Sequence, residues 1–272
     1  RWRTAALTQT ERVRASTFDF DFPELEARRT VTLTVTSAEP IRTLYVAPQP
    51  RWVSRPVEVD FAENSDGTVD VAALHAAPLV GAGESYQVRS SVTAVTISQL
   101  RDAGTDYPEW VTERYLELPD SITPRTRQLA EDIAGDRENP YDKVAAITRH
   151  LRDNIRYSET ITATTPGEQE PLDWFLFDLR VGFCNYYASS EVVLLRSLGI
   201  PARLAVGFSA GEHQLGTTTY LVHERNAHAW PEVYFPGLGW VEFEPTVLQD
   251  PIIRPLGEIE TDDEGNLRVP PG

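Results

Sequence analysis

At 272 residues, with 41% hydrophobic and 24% charged side chains, the chain has ordinary globular composition and room for one large or two ordinary domains. A formal net charge of −16 excludes the clustered Lys and Arg that a phosphate backbone demands, so no nucleic-acid partner is expected. No run of about 18 apolar residues occurs, so nothing within the segment is expected to span a membrane, and a single cysteine excludes an internal disulfide. The sequence starts at Arg1 with no Met and no signal peptide, and we read it as a processed chain or an excised piece of a longer one.

Residues 1–100 read as a β-rich domain. Thr30 to Thr36 alternates strictly, which puts Val31, Leu33 and Val35 on one face. Val57, Val59 and Phe61 alternate likewise, and Asp66-Gly67 is a hairpin turn before a strand through Val69 and Val71. A long strand from Ser85 to Thr96 closes the region, and Pro48, Pro50 and Pro56 mark edges or loops. A small sandwich or an open antiparallel sheet is expected. Residues 101–118 form a connector whose aromatics, Tyr107, Trp110 and Tyr115, are expected to pack between two domains.

From residue 119 the period turns helical. Thr123-Pro124 and Asn139-Pro140 each place a capping side chain before a Pro at the first helical position. Val144, Ile147, Leu151 and Ile155 give the second of these helices one apolar face. Residues 158–170 are polar and read as a surface loop, and Trp174-Phe-Leu-Phe177 is an apolar patch. A third helix begins near Cys184, carries Ala188, Val192, Leu195 and Leu198, and stops at Gly199 with Pro201 beyond it. Strands follow at Arg203 to Phe208, Thr219 to Glu224, Ala227 to Phe235 and Trp240 to Phe243. Pro231 removes a backbone donor, so its strand is expected to bulge or go unpaired there. Residues 251–272 are an acidic, Pro-rich tail with the run Asp262-Asp-Glu264, read as a linker or loosely docked extension.

Three segments carry chemistry. Cys184 opens a helix, where unpaired N–H groups and the helix dipole favour a thiolate. His228 is the best base among five histidines, and Trp230 on the same strand face can shield an ion pair from water. Glu242 and Glu244 alternate with Val241 and Phe243. Either can bind the second imidazole nitrogen, with Glu244 preferred and Glu242 in reserve. The backbone N–H groups of Cys184 and Asn185 are candidate oxyanion donors. His75, His150, His213 and His223 have no partners at metal-ligand spacing, and no EF-hand loop occurs, so no metal or other cofactor is expected.

The blocks Gly182-Phe-Cys-Asn-Tyr-Tyr-Ala188, Leu194-Leu-Arg-Ser-Leu-Gly-Ile-Pro-Ala-Arg203, Gly207-Phe208, Asn226-Ala-His-Ala-Trp230 and Gly239-Trp240 to Pro245-Thr246, in that order, resemble the transglutaminase-like core. Upstream, Tyr107-Pro-Glu-Trp110 and Tyr115-Leu-Glu-Leu-Pro119 resemble that superfamily's bacterial membrane-anchored branch, in which an extracytoplasmic segment lies between membrane helices. The resemblance implies an α+β fold: an antiparallel β domain, then a papain-like catalytic domain over 119–250 with helices packed on an antiparallel sheet. It also implies a Cys-His-Asp triad carried on Cys184, His228 and the position of Glu244. Here the sequence departs, since the family's Asp-Pro-Thr is Glu244-Pro-Thr246. The implied activity is thiol acyl transfer on a glutamine carboxamide of a protein or peptide, with an amine or water as acceptor. Which acceptor enters depends on loops such as 158–170 and 209–218. A cysteine peptidase or deamidase with the same triad is one alternative. A relict, non-catalytic binding or scaffolding module is another. The implied place is the outer face of the cell membrane, with membrane attachment through segments outside this chain.

Overall fold

The computed structural model describes residues 22–161, 167 and 169–257, and the backbone of 9–13, 260–261 and 267–268. It divides into two compact units, residues 1–94 and 95–272. Among its described residues the first is all β: β1 (Gln9–Val13), β2 (Arg28–Thr36), β3 (Ile41–Thr43), β4 (Pro50–Val53), β5 (Val57–Glu63), β6 (Val69–Val80) and β7 (Ser85–Thr93). They form two antiparallel sheets, ordered β1-β5-β6-β3 and β2-β7-β4. Val57, Val59 and Leu74 of one sheet and Val53, Tyr86 and Val88 of the other bury a shared core, so this unit is a sandwich. The β5–β6 hairpin turns at Gly67, whose φ of +83° is open to glycine and costly for other residues. On β2, Val35 packs against the core, whereas Leu33 is 40% exposed.

The second unit opens with α1 (Ile97–Asp102) and α2 (Glu109–Tyr115). Thr96 and Gln99 close a capping box on α1. Then come α3 (Pro124–Ala134) and α4 (Pro140–Asn154), started by Thr123 accepting from Thr126 N–H and Asn139 accepting from Asp142 N–H. A two-residue strand β8 (Arg156–Tyr157) and a short helix α5 (Pro171–Trp174) follow, and α5 runs into a π-turn over Phe175–Leu179. Arg180, at φ +50°, reverses the chain so that β9 (Val181–Gly182) lies parallel to β8. That reversal delivers the chain to α6 (Cys184–Ser197).

Helix α6 is the axis of the unit. Tyr187, Ala188, Val192, Leu194 and Leu195 are all fully buried on it. It packs on β10 (Ala202–Phe208) and β13 (Ala227–Phe235) on one side and on α3 and α4 on the other. Between those strands lie a small hairpin, β11 (Glu212–His213) with β12 (Tyr220–Leu221), and a 3-10 turn at Glu224–Asn226. With β14 (Gly239–Glu242), the main sheet runs β10-β13-β14, fully antiparallel. A last pair, β15 (Glu260–Thr261) and β16 (Leu267–Arg268), is described by backbone alone.

One expectation changes here. Strand β13 passes through Pro231 without a break, with Leu204 opposite it in an unshifted register. Pro231 turns its carbonyl towards Phe243 N–H, just past the end of β14, so the donor it lacks falls beyond the ladder. Two aromatics of the connector find ring partners on the main sheet of the second unit. Trp110 meets Tyr234 edge-on at 5.6 Å and Tyr115 meets Trp240 at 4.5 Å, on β13 and β14. The first part of the tail is docked, because Pro255 and Leu256 accept from the N–H groups of Ile97 and Ser98. The run Asp262-Asp-Glu264 lies outside the described residues, as do 162–166 and 168 of the polar loop.

Candidate active site

Cys184 is the first residue of α6, and its preceding residue Phe183 supplies no side-chain cap. Backbone donors at this helix end are therefore available to the thiol and to whatever approaches it. Gly182 sets the approach. A Cβ there would sit 2.8 Å from the Phe175 ring and 2.9 Å from Tyr186 Cβ, so only glycine lets the strand run this close beneath α6. The thiol Sγ lies 3.8 Å from Asn185 Oδ1, in reach of a weak hydrogen bond.

His228 is the second residue of β13, opposite Gly207 on β10. Its Nε2 donates to Glu244 Oε2 at 2.6 Å, and the two side chains are only 6% and 9% exposed. With Nε2 engaged by Glu244, Nδ1 is the nitrogen that this contact leaves open, and the imidazole and the Cys184 thiol act on each other strongly enough to shift both. The Trp230 ring lies nearly parallel to the imidazole, 6.0 Å between centroids and 21° between planes. Gly207 makes room for it, because a Cβ there would meet the far edge of the indole at 2.9 Å.

Glu244 lies two residues beyond β14, so it is not the strand residue that the alternation suggested. Its other oxygen, Oε1, accepts from Thr246 N–H at 2.8 Å. The loop behind it is clamped by Arg152 of α4, which donates to the carbonyls of Glu244 (3.1 Å), Thr246 (2.8 Å) and Gln249 (3.0 Å). Glu242 pairs across the sheet with Glu232, and its carbonyl accepts from Arg254. The carboxylate on His228 is thus that of Glu244.

Residues 127–245, which include Cys184, His228 and Glu244, match the family model of the transglutaminase-like superfamily. They belong to that superfamily. The protein YebA of Bacillus subtilis is 44% identical over 140 residues, which is 50% of this chain and 19% of that one. A protein-glutamine gamma-glutamyltransferase of Pseudomonas aeruginosa is 37% identical over 133 residues, 49% of this chain and 20% of that one. The chain therefore spans about a fifth of the length of these curated relatives. The crystal structure of the periplasmic domain of TgpA from Pseudomonas aeruginosa superposes with a TM-score of 0.51 at 25% identity, covering 89% of this chain and 88% of that one. The fold is the mixed one expected, helices on an antiparallel sheet after a β unit.

The electrostatics of the transglutaminase-like site follow from burial and pairing. Burial pushes the Cys184 thiol up. Hydrogen bonds from His228 and from the backbone of Ala229 and Asn185, with the charge on His228, outweigh it and leave the thiol below its ordinary value. Burial alone would lower His228, but Cys184 and Glu244 raise it to about 9. Thiol and imidazole thus move in the directions that favour a thiolate–imidazolium pair. Tyr157, on the strand beside Gly182, is raised to about 12, first by burial, then by Glu159 and Cys184. Among the described residues no group of His, Cys, Asp or Glu could hold a metal ion.

Sequence reasoning missed Arg152, Thr148 and Glu191. Glu191 is fully buried and accepts from Thr148 Oγ1 at 2.7 Å. A signal was present: it is the one charged residue between Ala188 and Leu195, next to the apolar run Val192 to Leu195 and seven residues after the cysteine.

Proposed function

We propose that the chain carries a thiol acyltransferase acting on the glutamine carboxamide of a protein or peptide. The observation that carries this reading is the contact of His228 with Glu244 at 2.6 Å, with Cys184 as the first residue of α6 and electrostatically coupled to the same imidazole. The thiolate adds to the carboxamide carbon, and the oxyanion takes N–H donors at the start of α6, from Cys184 and Asn185. The carbon–nitrogen bond breaks as His228 gives its proton to the departing ammonia, leaving a thioester on Cys184. A primary amine then attacks the thioester and loses a proton to His228, and the thiol is regenerated. Glu244 holds the imidazole in one tautomer throughout and offsets its positive charge. With water as acceptor, the same steps yield a glutamate side chain.

The relatives support the class. One bears the name protein-glutamine gamma-glutamyltransferase, and the solved domain is periplasmic. No helix among the described residues is long and apolar enough to cross a membrane. An extracytoplasmic domain, tethered by segments outside this chain, fits both facts.

The test is incorporation of a fluorescent primary amine into a glutamine-bearing protein, with ammonia release measured in parallel. Incorporation that disappears in Cys184→Ala supports the transferase. Ammonia without incorporation assigns water as the acceptor. Neither product in the wild type, with the thiol still alkylated, would sink the enzymatic reading.

A further inference from the structure

Glu191 is a buried acid that the reaction above does not use. Seven residues after Cys184, it lies two turns along the same face of α6. It is 0% exposed. One oxygen, Oε1, accepts from Thr148, while the other, Oε2, is buried without a hydrogen-bond partner. Thr148 and Arg152 are four residues apart on α4 and so share a face. The first binds Glu191, and the second binds the carbonyls of Glu244 and Thr246. The same stripe of α4 therefore braces both acids. The Glu244 charge reaches Glu191.

We propose that Glu191 is a positioning residue of the triad: a neutral acid that lies behind the Glu244 carboxylate and keeps a second negative charge away from it. This rests on the acyl-transfer reading of the site. Burial is the main reason the acid stays neutral, and Glu244 adds to it. Together they raise Glu191 to about 8, against the smaller opposing pull of Thr148. Glu244 is the charged group that acts on it; the elements packed against α6 also carry Arg152 on α4 and His228 on β13, and α6 itself carries Cys184 and Tyr187. On β10, Arg203 is paired with Glu232. The buried residues of α3, Thr126, Ala130 and Ala134, do not ionise, nor do Val181 and Gly182 of β9. Ionised, Glu191 would place two carboxylates in one water-poor layer. The repulsion would then work against the hydrogen bonds that hold the Glu244 carboxylate, among them the one that orients His228.

The test follows the His228 imidazole by NMR in 15N-histidine-labelled protein from pH 5 to 10, with amine incorporation measured in parallel. The wild-type His228 signal should show an inflection near pH 8, apart from its own titration. Incorporation should fall about tenfold one pH unit above it, the fraction of Glu191 left neutral there. Glu191→Gln, which cannot ionise, should lose that inflection and hold its rate to higher pH. Thr148→Val removes the bond that holds the acid down, so it should move the inflection upward, and it decides the matter if Glu191→Gln does not fold. An inflection that persists in Glu191→Gln, or one unmoved or lowered in Thr148→Val, overturns the proposal. A wild type with the expected inflections but no incorporation removes the transferase reading and leaves the positioning role standing.

Discussion

Replacing Glu244 with Gln keeps the size of the side chain and removes its charge. The imidazole of His228 is raised from its ordinary 6.5 to about 9 by Cys184 and Glu244 against the opposing effect of burial. At about 1.4 kcal/mol per pH unit, that climb is worth roughly 3 kcal/mol in favour of the imidazolium. If the carboxylate supplies half, its loss costs about 1.5 kcal/mol, or about tenfold in the thiolate–imidazolium population at neutral pH. The assay is the rate of Cys184 alkylation by iodoacetamide from pH 4 to 10. The wild-type thiol should titrate below its ordinary range, Glu244→Gln about one unit higher, and His228→Ala higher again. Stability carries the same signature. A base whose folded value is raised contributes fully below its unfolded value and loses that contribution as pH rises through its folded one. The imidazole's own contribution should therefore fall between about pH 6.5 and 9, partly offset by the lowered Cys184 thiol, and should fall less in Glu244→Gln. Identical alkylation profiles for wild type and Glu244→Gln would refute the reasoning, because the 2.6 Å contact would then carry no charge coupling.

Two further outcomes are expected. Glu244→Asp restores the family's Asp-Pro-Thr but draws the carboxylate back by one methylene in a loop held by Arg152, so kcat should fall, on the order of 100-fold; a rate at or above wild type would show that the loop follows the shorter side chain. Gly182→Ala forces a Cβ against Phe175 and Tyr186 and should cost about 1–3 kcal/mol in chemical denaturation and slow alkylation of Cys184; an unchanged midpoint and rate would show that this crossing relaxes freely.

The parts of the site written in local pattern are legible from sequence. The starts of α3 and α4 announce themselves through Thr123-Pro124 and Asn139-Pro140, because capping and proline geometry are decided within four residues. Cys184 at the head of α6 is legible for the same reason. What escapes is whatever depends on distant partners. Alternation put Glu242 and Glu244 on one strand face, but β14 ends at Glu242 and the backbone beyond it answers to Arg152, some ninety residues earlier. The reversal at Arg180 follows a π-turn, which no side-chain period marks. Glu191 was passed over because the helix pattern reads well without it, and its burial appears only when α4 closes over α6. Pro231 shows the converse error. A local rule foretold a bulge or a loss of pairing, and the end of β14 removed the need for the missing donor.

The docking of Pro255 and Leu256 onto the first turn of α1 has a mechanical consequence. Ser98 and Leu256 stand 158 residues apart, yet the Ser98 hydroxyl and backbone both reach the Leu256 carbonyl, and Ile97 reaches Pro255. The start of the second unit and the segment at Pro255 and Leu256 are therefore stapled side by side. Tension applied along the polypeptide would load this staple in shear before it reached α4, α6 or the sheet. A domain stitched in this way can be pulled from its flanks while Cys184, His228 and Glu244 keep their spacing.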